Sequence, residues 1–240
     1  MTTLLLVRHG LTALTGPVLA GWTPALSLDD RGRAQARAVG ERLAGLPLAA
    51  VVSSPLDRCL QTAEAGAAAH ADPVGKIEVD ERFGEVRYGD WTGRPLKELA
   101  EEPLWRVVQA HPSAARFPGE DGESLAAAQH RAVAAVRDWN ARIAAEHGPH
   151  AAYLVCSHGD IIKAIVADAL GLHLDQFQRI EAAPASLTVI RYTELRPFLV
   201  RLNDTGGNVD NLLPPPPDDR GGDSGAPRGG EGDAAVGGGA

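Results

Sequence analysis

Two short strings bring reactive side chains together. They are Arg8-His9-Gly10 near the amino terminus and Ser157-His158-Gly159 far along the chain. Each closes an apolar run of strand character, so each would deliver a histidine to the carboxyl end of a parallel strand, where an open α/β sheet builds its ligand site. The glycine after each histidine would let the backbone turn sharply and come close to a ligand. Helix N-termini that follow would favour an anion. A second arginine, Arg58, lies in SSPLDRCLQTA, near the start of the helix after another strand-like run. If those strands are neighbours, two arginines and two histidines converge on one small space. Its natural occupant is a dianionic phosphoryl group, because guanidinium offers fork-shaped donors and a charge that does not titrate away.

The remaining histidines, His70, His111, His130, His147, His150 and His173, read as surface or satisfied core residues. Either His-Gly pair alone would read as structural; the two together, each at a strand end and accompanied by Arg58, point to a site. Cys59 and Cys156 flank the motifs, and Cys156, inside an apolar strand, reads as a small core residue rather than a nucleophile. The chain shows no spaced His/Asp/Glu ligand set and no cysteine pair with zinc spacing, so neither a metal nor a cofactor is expected.

The elements that would carry these residues alternate. Strand-like runs cover Thr3–Val7, Ala49–Ser53, Ala151–Cys156, Ala185–Ile190 and Phe198–Leu202, and the first three are nearly continuously apolar, as in strands covered on both faces. Between them lie helical patterns. Asp29 can cap a helix to about Leu43 with Val39, Leu43 and Leu46 on one face. Pro55 stands where a helix to about Ala69 begins. The segment Glu123–Glu146 is the longest helix, with Leu125, Ala132, Val136, Trp139 and Ile143 as its buried stripe. A last helix follows His158 and stops at Gly171. The alternation predicts an α/β fold with a mostly parallel sheet. The less regular Arg82–Gly122 stretch would lie over the strand ends as an insertion.

Composition sets the outer bounds. The chain has 240 residues, with 44% hydrophobic and 22% charged residues, close to the globular average. A net charge of -8 argues against a nucleic-acid partner. The absence of any long apolar run argues against a membrane span, and MTTLLLVRHG lacks the cationic lead of a signal peptide. Two cysteines exclude a disulfide scaffold, so a cytoplasmic protein in a reducing compartment is expected. From Pro214 onward the chain holds 9 Gly and 5 Pro in 27 residues, and the stretch 206–240 is expected to be a disordered, acidic, Pro/Gly-rich tail after a catalytic domain spanning 1–205.

With these segments in order, the chain resembles the histidine phosphatase superfamily in its phosphoglycerate mutase-like branch, including actinobacterial-type members described as phosphatases or phosphomutases. LLLVRHG resembles the signature segment of that family, SSPLDRCLQTA its second-arginine segment, and ERFGEVRYGDWTG the segment holding its acid. FPGEDGES resembles a further family segment and VCSHGD the second-histidine segment. The likeness spans Thr3 to Leu202. It implies a three-layer α/β/α sandwich. It also implies that His9 takes the phosphoryl group, that Arg8, Arg58 and His158 clamp its oxygens, and that Glu85 protonates the leaving oxygen and then activates water. Thr12 and Gly21 match positions lining the mouth of the site. Read from the residues alone, Asp80 and Glu81 compete with Glu85 as the acid.

The chain departs from the family around Leu11, Thr12 and Thr15, where many members carry an acid or amide, a Ser or Thr, and an Asn. It departs again at Pro24, where an acid is often found. Thr15 could still donate a hydrogen bond to substrate, whereas Leu11 cannot. The departures bear on substrate contacts more than on phosphate chemistry. Three functions stand in order: a metal-independent phosphomonoesterase acting on a small phosphate ester, a phosphomutase using the same phosphohistidine, and a non-catalytic phosphate-ligand binding protein.

Overall fold

A computed structural model describes residues 1–70 and 75–207. The expected tail therefore lies, from residue 208 on, outside the described residues. The elements run β1 (Thr2–Arg8), α1 (Asp30–Leu43), β2 (Leu48–Ser53), α2 (Asp57–Ala68), β3 (Glu78–Val79), α3 (Leu96–Leu99), α4 (Pro103–Ala110), α5 (Leu125–His147), β4 (Ala152–Ser157), α6 (Gly159–Ala169), β5 (Leu187–Tyr192) and β6 (Pro197–Asp204).

The strands form one sheet in the order β3-β2-β4-β1-β5-β6. The pairs β3·β2, β2·β4 and β4·β1 are parallel, and β5 and β6 add as an antiparallel edge. Alternation along the strands divides the core in two. Leu4, Leu6, Val52, Tyr153 and Val155 face one way, against Val136, Trp139 and Ile143 of α5 and Ile162 and Ile165 of α6. Leu5, Val7, Val51, Leu154 and Cys156 face the other way, against Val39 and Leu43 of α1 and Cys59 and Ala63 of α2. A period of two on strands covered on both sides is what produces the three layers.

Local signals explain the boundaries. Asp29 caps α1, its Oδ1 accepting from the Gly32 N–H at 2.7 Å. Ser124 caps α5 through the Ala127 N–H. The expected stripe of α5 is buried in full. Leu46, expected on the buried face of α1, is instead 41% exposed, because the helix ends at Leu43 and Leu46 falls in the turn before β2. Ala185, expected to open a strand, sits at φ +57° in the loop before β5. The Arg82–Gly122 stretch contains α3, α4 and several single 3-10 turns, and it packs on the 17–22 loop through Leu19 N–H to Arg94 O and Gly93 N–H to Leu19 O.

Candidate active site

Three neighbouring strands end at one level. Arg8 pairs with Ser157 and Ser53 with Cys156 in register. The ladder continues one residue beyond the strands, through His9 N–H to Ser157 O and Ser54 N–H to Cys156 O, each 3.0 Å. His9, Ser54 and His158 therefore leave the sheet side by side at its carboxyl edge. The two imidazole rings stand 5.2 Å apart between centroids, at 62° to one another.

The neighbouring hydrogen bonds define each ring's protonation. His9 Nδ1 lies 2.7 Å from the carbonyl of Gly10, so Nδ1 carries the proton, and Nε2 keeps a lone pair turned toward the Arg58 Nε–H at 3.3 Å. Burial, then the charges of Arg58 and Arg8, hold His9 well below the usual histidine range, against the smaller opposite pull of the Gly10 carbonyl. His158 is depressed for the same leading reasons. Its Nδ1 accepts from Arg58 Nη2 at 3.2 Å, leaving Nε2–H to donate to Ser54 Oγ at 2.7 Å. Both rings are thus neutral at pH 7.

Arg58, in the first turn of α2, is almost fully buried. Its Nη2 also donates to the Gly21 carbonyl at 2.7 Å, while Nη1 is buried without a hydrogen-bond partner among the described residues. Arg8 Nη1 donates to the Ala182 carbonyl at 2.8 Å. The Ala182–Ser186 loop braces this end of β1, since Ala185 N–H reaches both the Arg8 and His9 carbonyls. That bracing accounts for the left-handed backbone at a non-glycine residue.

Glu85 comes from the insertion. Its Oε1 accepts from the Val86 N–H at 2.9 Å. Burial raises its carboxyl to about 7, reinforced by Asp160 and opposed by the Val86 N–H, Arg58 and Arg8. The competing acids are elsewhere: Glu81 is exposed, and Asp80 is committed to Arg82 and to Trp139 Nε1.

The structure brings together Arg8, His9, Arg58, Glu85 and His158. Gly21 joins them through its carbonyl. Thr12 and Thr15 bond to each other: Thr15 Oγ1 accepts from the Thr12 N–H, and the two hydroxyls are 3.0 Å apart. Thr15 thus braces the loop after His9. The glycines differ from expectation. Neither Gly10 nor Gly159 has a positive φ. A Cβ at Gly10 would stand 2.5 Å from the Gly32 carbonyl oxygen, so Gly10 serves the close packing of α1. A helix follows His158 at once, whereas α1 begins only at Asp30, so His9 is followed by a loop and not by a helix N-terminus. The cysteines are inert: burial pushes the Cys59 thiol up to about 12 and Cys156 upward as well.

Arg131 of α5 was not anticipated. It donates to the carbonyls of Arg82, Gly84 and Glu85 at 2.6, 2.9 and 2.9 Å. It also pairs with Glu123, whose Oε1 in turn accepts from the Arg87 N–H. The FPGEDGES segment thereby holds the backbone of the Glu85 segment. Trp22 Nε1 adds a bond to the Glu85 carbonyl at 2.6 Å. A cavity of about 350 Å³ opens beside Trp22 and Arg87. Among the described residues, no group of three or more His, Cys, Asp or Glu side chains is arranged to hold a metal ion, and no helix is long and apolar enough to cross a membrane.

Similar proteins place this geometry in context. Phosphoserine phosphatase 1 of Hydrogenobacter thermophilus is 29% identical over 221 residues, covering 85% of this chain and 93% of its own. A 2,3-bisphosphoglycerate-dependent phosphoglycerate mutase 2 of Gloeobacter violaceus is 31% identical over 182 residues, covering 75% and 81%. The structure of Bacillus stearothermophilus YhfR superposes with a TM-score of 0.70 at 28% identity, over 85% of this chain and 98% of that one. The family model of the histidine phosphatase superfamily, branch 1, matches residues 4–205, a span that includes all three strand ends, the insertion and the bracing loop. Paired histidines at adjacent parallel strand ends, set among buried guanidiniums within that span, are the features of a chain that belongs to the histidine phosphatase superfamily.

Proposed function

We propose that the protein is a phosphomonoesterase that hydrolyses a small phosphate ester through a phosphohistidine on His9 Nε2, without a metal. One observation carries this reading: a neutral His9, its Nδ1 proton given to the Gly10 carbonyl, presents an Nε2 lone pair beside the buried guanidinium of Arg58. Imidazole attacks phosphorus only through such a lone pair. Arg58 Nη1, buried and without a hydrogen-bond partner among the described residues, supports an anion as the partner it is built for. Arg8 and Arg58 would hold the phosphoryl oxygens and neutralise charge that repels a nucleophile, and His158 would hold one oxygen by hydrogen bond once its proton moves from Nε2, which faces Ser54, to Nδ1.

Glu85, raised to about 7, would give its proton to the leaving oxygen and afterwards take one from the attacking water. The P–O bond to the leaving group breaks as the P–Nε2 bond forms. Water then breaks P–Nε2 and restores His9. Thr12 and Gly21 would border the mouth, with Gly21 acting through its carbonyl on Arg58. The buried, unpaired thiols and the net charge of -8 support a cytoplasmic protein without a nucleic-acid partner.

The test is rapid-quench labelling over a panel of phosphate esters with chelator present. The expected result is an acid-labile, base-stable phosphoenzyme that decays to inorganic phosphate. Transfer of label to an isomeric ester would show a phosphomutase instead, and chelator-sensitive turnover would overturn the metal-free chemistry.

Arg131 would be a positioning residue, since it holds the backbone that aims Glu85. Arg131→Met is expected to lower kcat/KM on alkyl phosphates by roughly 10- to 100-fold. On activated aryl phosphates, which need no proton donor, the loss should be several-fold smaller. Equal losses on both classes would show a general packing defect instead.

A further inference from the structure

Asp160 has no part in the steps above. It is fully buried in the first turn of α6, two residues after His158. Tyr88 Oη donates to its Oδ2 at 2.7 Å, and Lys163 Nζ lies 3.4 Å from its Oδ1. Lys163 is buried too, donating to Gln178 Oε1 at 2.6 Å and standing 4.6 Å from the centre of the Phe177 ring. An ion pair in a buried stretch, 159–167, that is otherwise uncharged adds little to stability, because desolvation offsets the attraction. Its location is informative. Tyr88 is three residues beyond Glu85 on the same segment, so the Tyr88–Asp160 bond ties the Glu85 segment to α6.

We infer that Asp160, held in place by the Tyr88 hydroxyl and the Lys163 ammonium, is a positioning residue whose carboxylate acts on Glu85 and keeps it ready to donate a proton. This rests on Glu85 being the proton donor. Two carboxylates sharing a dry site do not both ionise readily, and the proton stays on the one with less hydrogen-bond and cationic support. Asp160 has a tyrosine hydroxyl and an ammonium, while Glu85 accepts one backbone N–H. The charged groups around Glu85 are Arg8 from β1, Arg58 from α2 and Asp160 from α6, while Arg131 of α5 bonds its backbone carbonyl. Around Asp160 stand Arg8, Glu85, Tyr88 and Lys163. Burial is the largest cause of the raised Glu85 carboxyl, Asp160 is next, and both arginines oppose them.

The test titrates Glu85 directly in the full chain labelled with δ-¹³C glutamate. Its resonance is identified by loss in Glu85→Gln. Asp160→Asn is expected to lower the midpoint by about one pH unit or more, and Lys163→Met, which leaves Asp160 less neutralised, to raise it. The alkaline limb of kcat/KM should move the same way in each variant. Loosened packing would hydrate Glu85 and lower the midpoint in both variants, so opposite signs mark the field of Asp160. If either single variant fails to fold, Asp160→Asn/Lys163→Met removes both charges together and should titrate below wild type. A midpoint unmoved in Asp160→Asn or in the double variant, or lowered in Lys163→Met, overturns the inference. Midpoints that move as expected while Glu85→Gln turns over alkyl phosphates at the wild-type rate would uphold the tuning and defeat the proton-donor reading.

Discussion

Replacing His9 by alanine is expected to lower kcat by about 10⁴-fold or more, because the side chain proposed to form the covalent bond to phosphorus is gone. Substrate binding should survive. Arg8 is anchored on the Ala182 carbonyl and Arg58 on the Gly21 carbonyl, and neither bond involves the His9 ring. Arg58 Nε loses its 3.3 Å contact with His9 Nε2 and gains freedom to turn toward a phosphoryl oxygen. Inorganic phosphate should therefore bind His9→Ala within about tenfold of wild type. Rapid-quench labelling should recover no phosphoenzyme. The split between lost turnover and retained binding is the informative part, since a collapsed site would lose both. Wild-type turnover in this variant would defeat the covalent mechanism outright.

His9 and His158 were legible in the sequence because each directly follows a nearly continuous apolar run of the kind found in strands covered on both faces, Arg58 because it stands in the first turn of the helix after a third such run, and adjacent parallel strands present their ends together. Asp29 was legible as a cap for a local reason, a side chain bonding its own helix three residues on. What stayed hidden depends on partners remote in the chain. An apolar run does not disclose strand direction, so the antiparallel edge of β5 and β6 could not be told from further parallel strands. The two-residue β3 is too short to leave a pattern. Ala185 takes its conformation from carbonyls 176 and 177 positions earlier, those of His9 and Arg8.

Two misses did leave traces. Arg131 lies three residues after Ala128 and four before Ala135, so a large cation sits at the border of a buried stripe where small neighbours leave it room. Asp160 and Lys163 are spaced i,i+3 in a helix whose other residues from Gly159 through Ala167 are all buried and uncharged. A charge on a face that should be apolar is the signal in both cases.

Glu85→Gln should cost about 10²- to 10⁴-fold in kcat/KM on alkyl phosphates, the usual worth of a positioned acid. The pH dependence carries the sharper test. The carboxyl must be protonated to serve the leaving oxygen. With a midpoint of about 7, the competent fraction is half there and falls about tenfold for each pH unit above it. His9, held well below its ordinary range, stays neutral throughout that window, so on the proposed reading the alkaline limb of kcat/KM is that of Glu85. In Glu85→Gln that limb should disappear, leaving a low, flat rate. Leaving-group dependence should separate the two half-reactions. A dinitrophenyl ester departs without a proton, so the variant should still phosphorylate His9 at a rate near wild type. The second step keeps its need for a base to take the proton of water, and glutamine provides none. The phosphoenzyme should accumulate, giving a burst of dinitrophenol equal to the enzyme concentration followed by slow turnover. Equal losses on alkyl and dinitrophenyl esters, with no burst, would remove Glu85 from both steps and leave it a buried carboxyl with a raised proton affinity and no role in the chemistry.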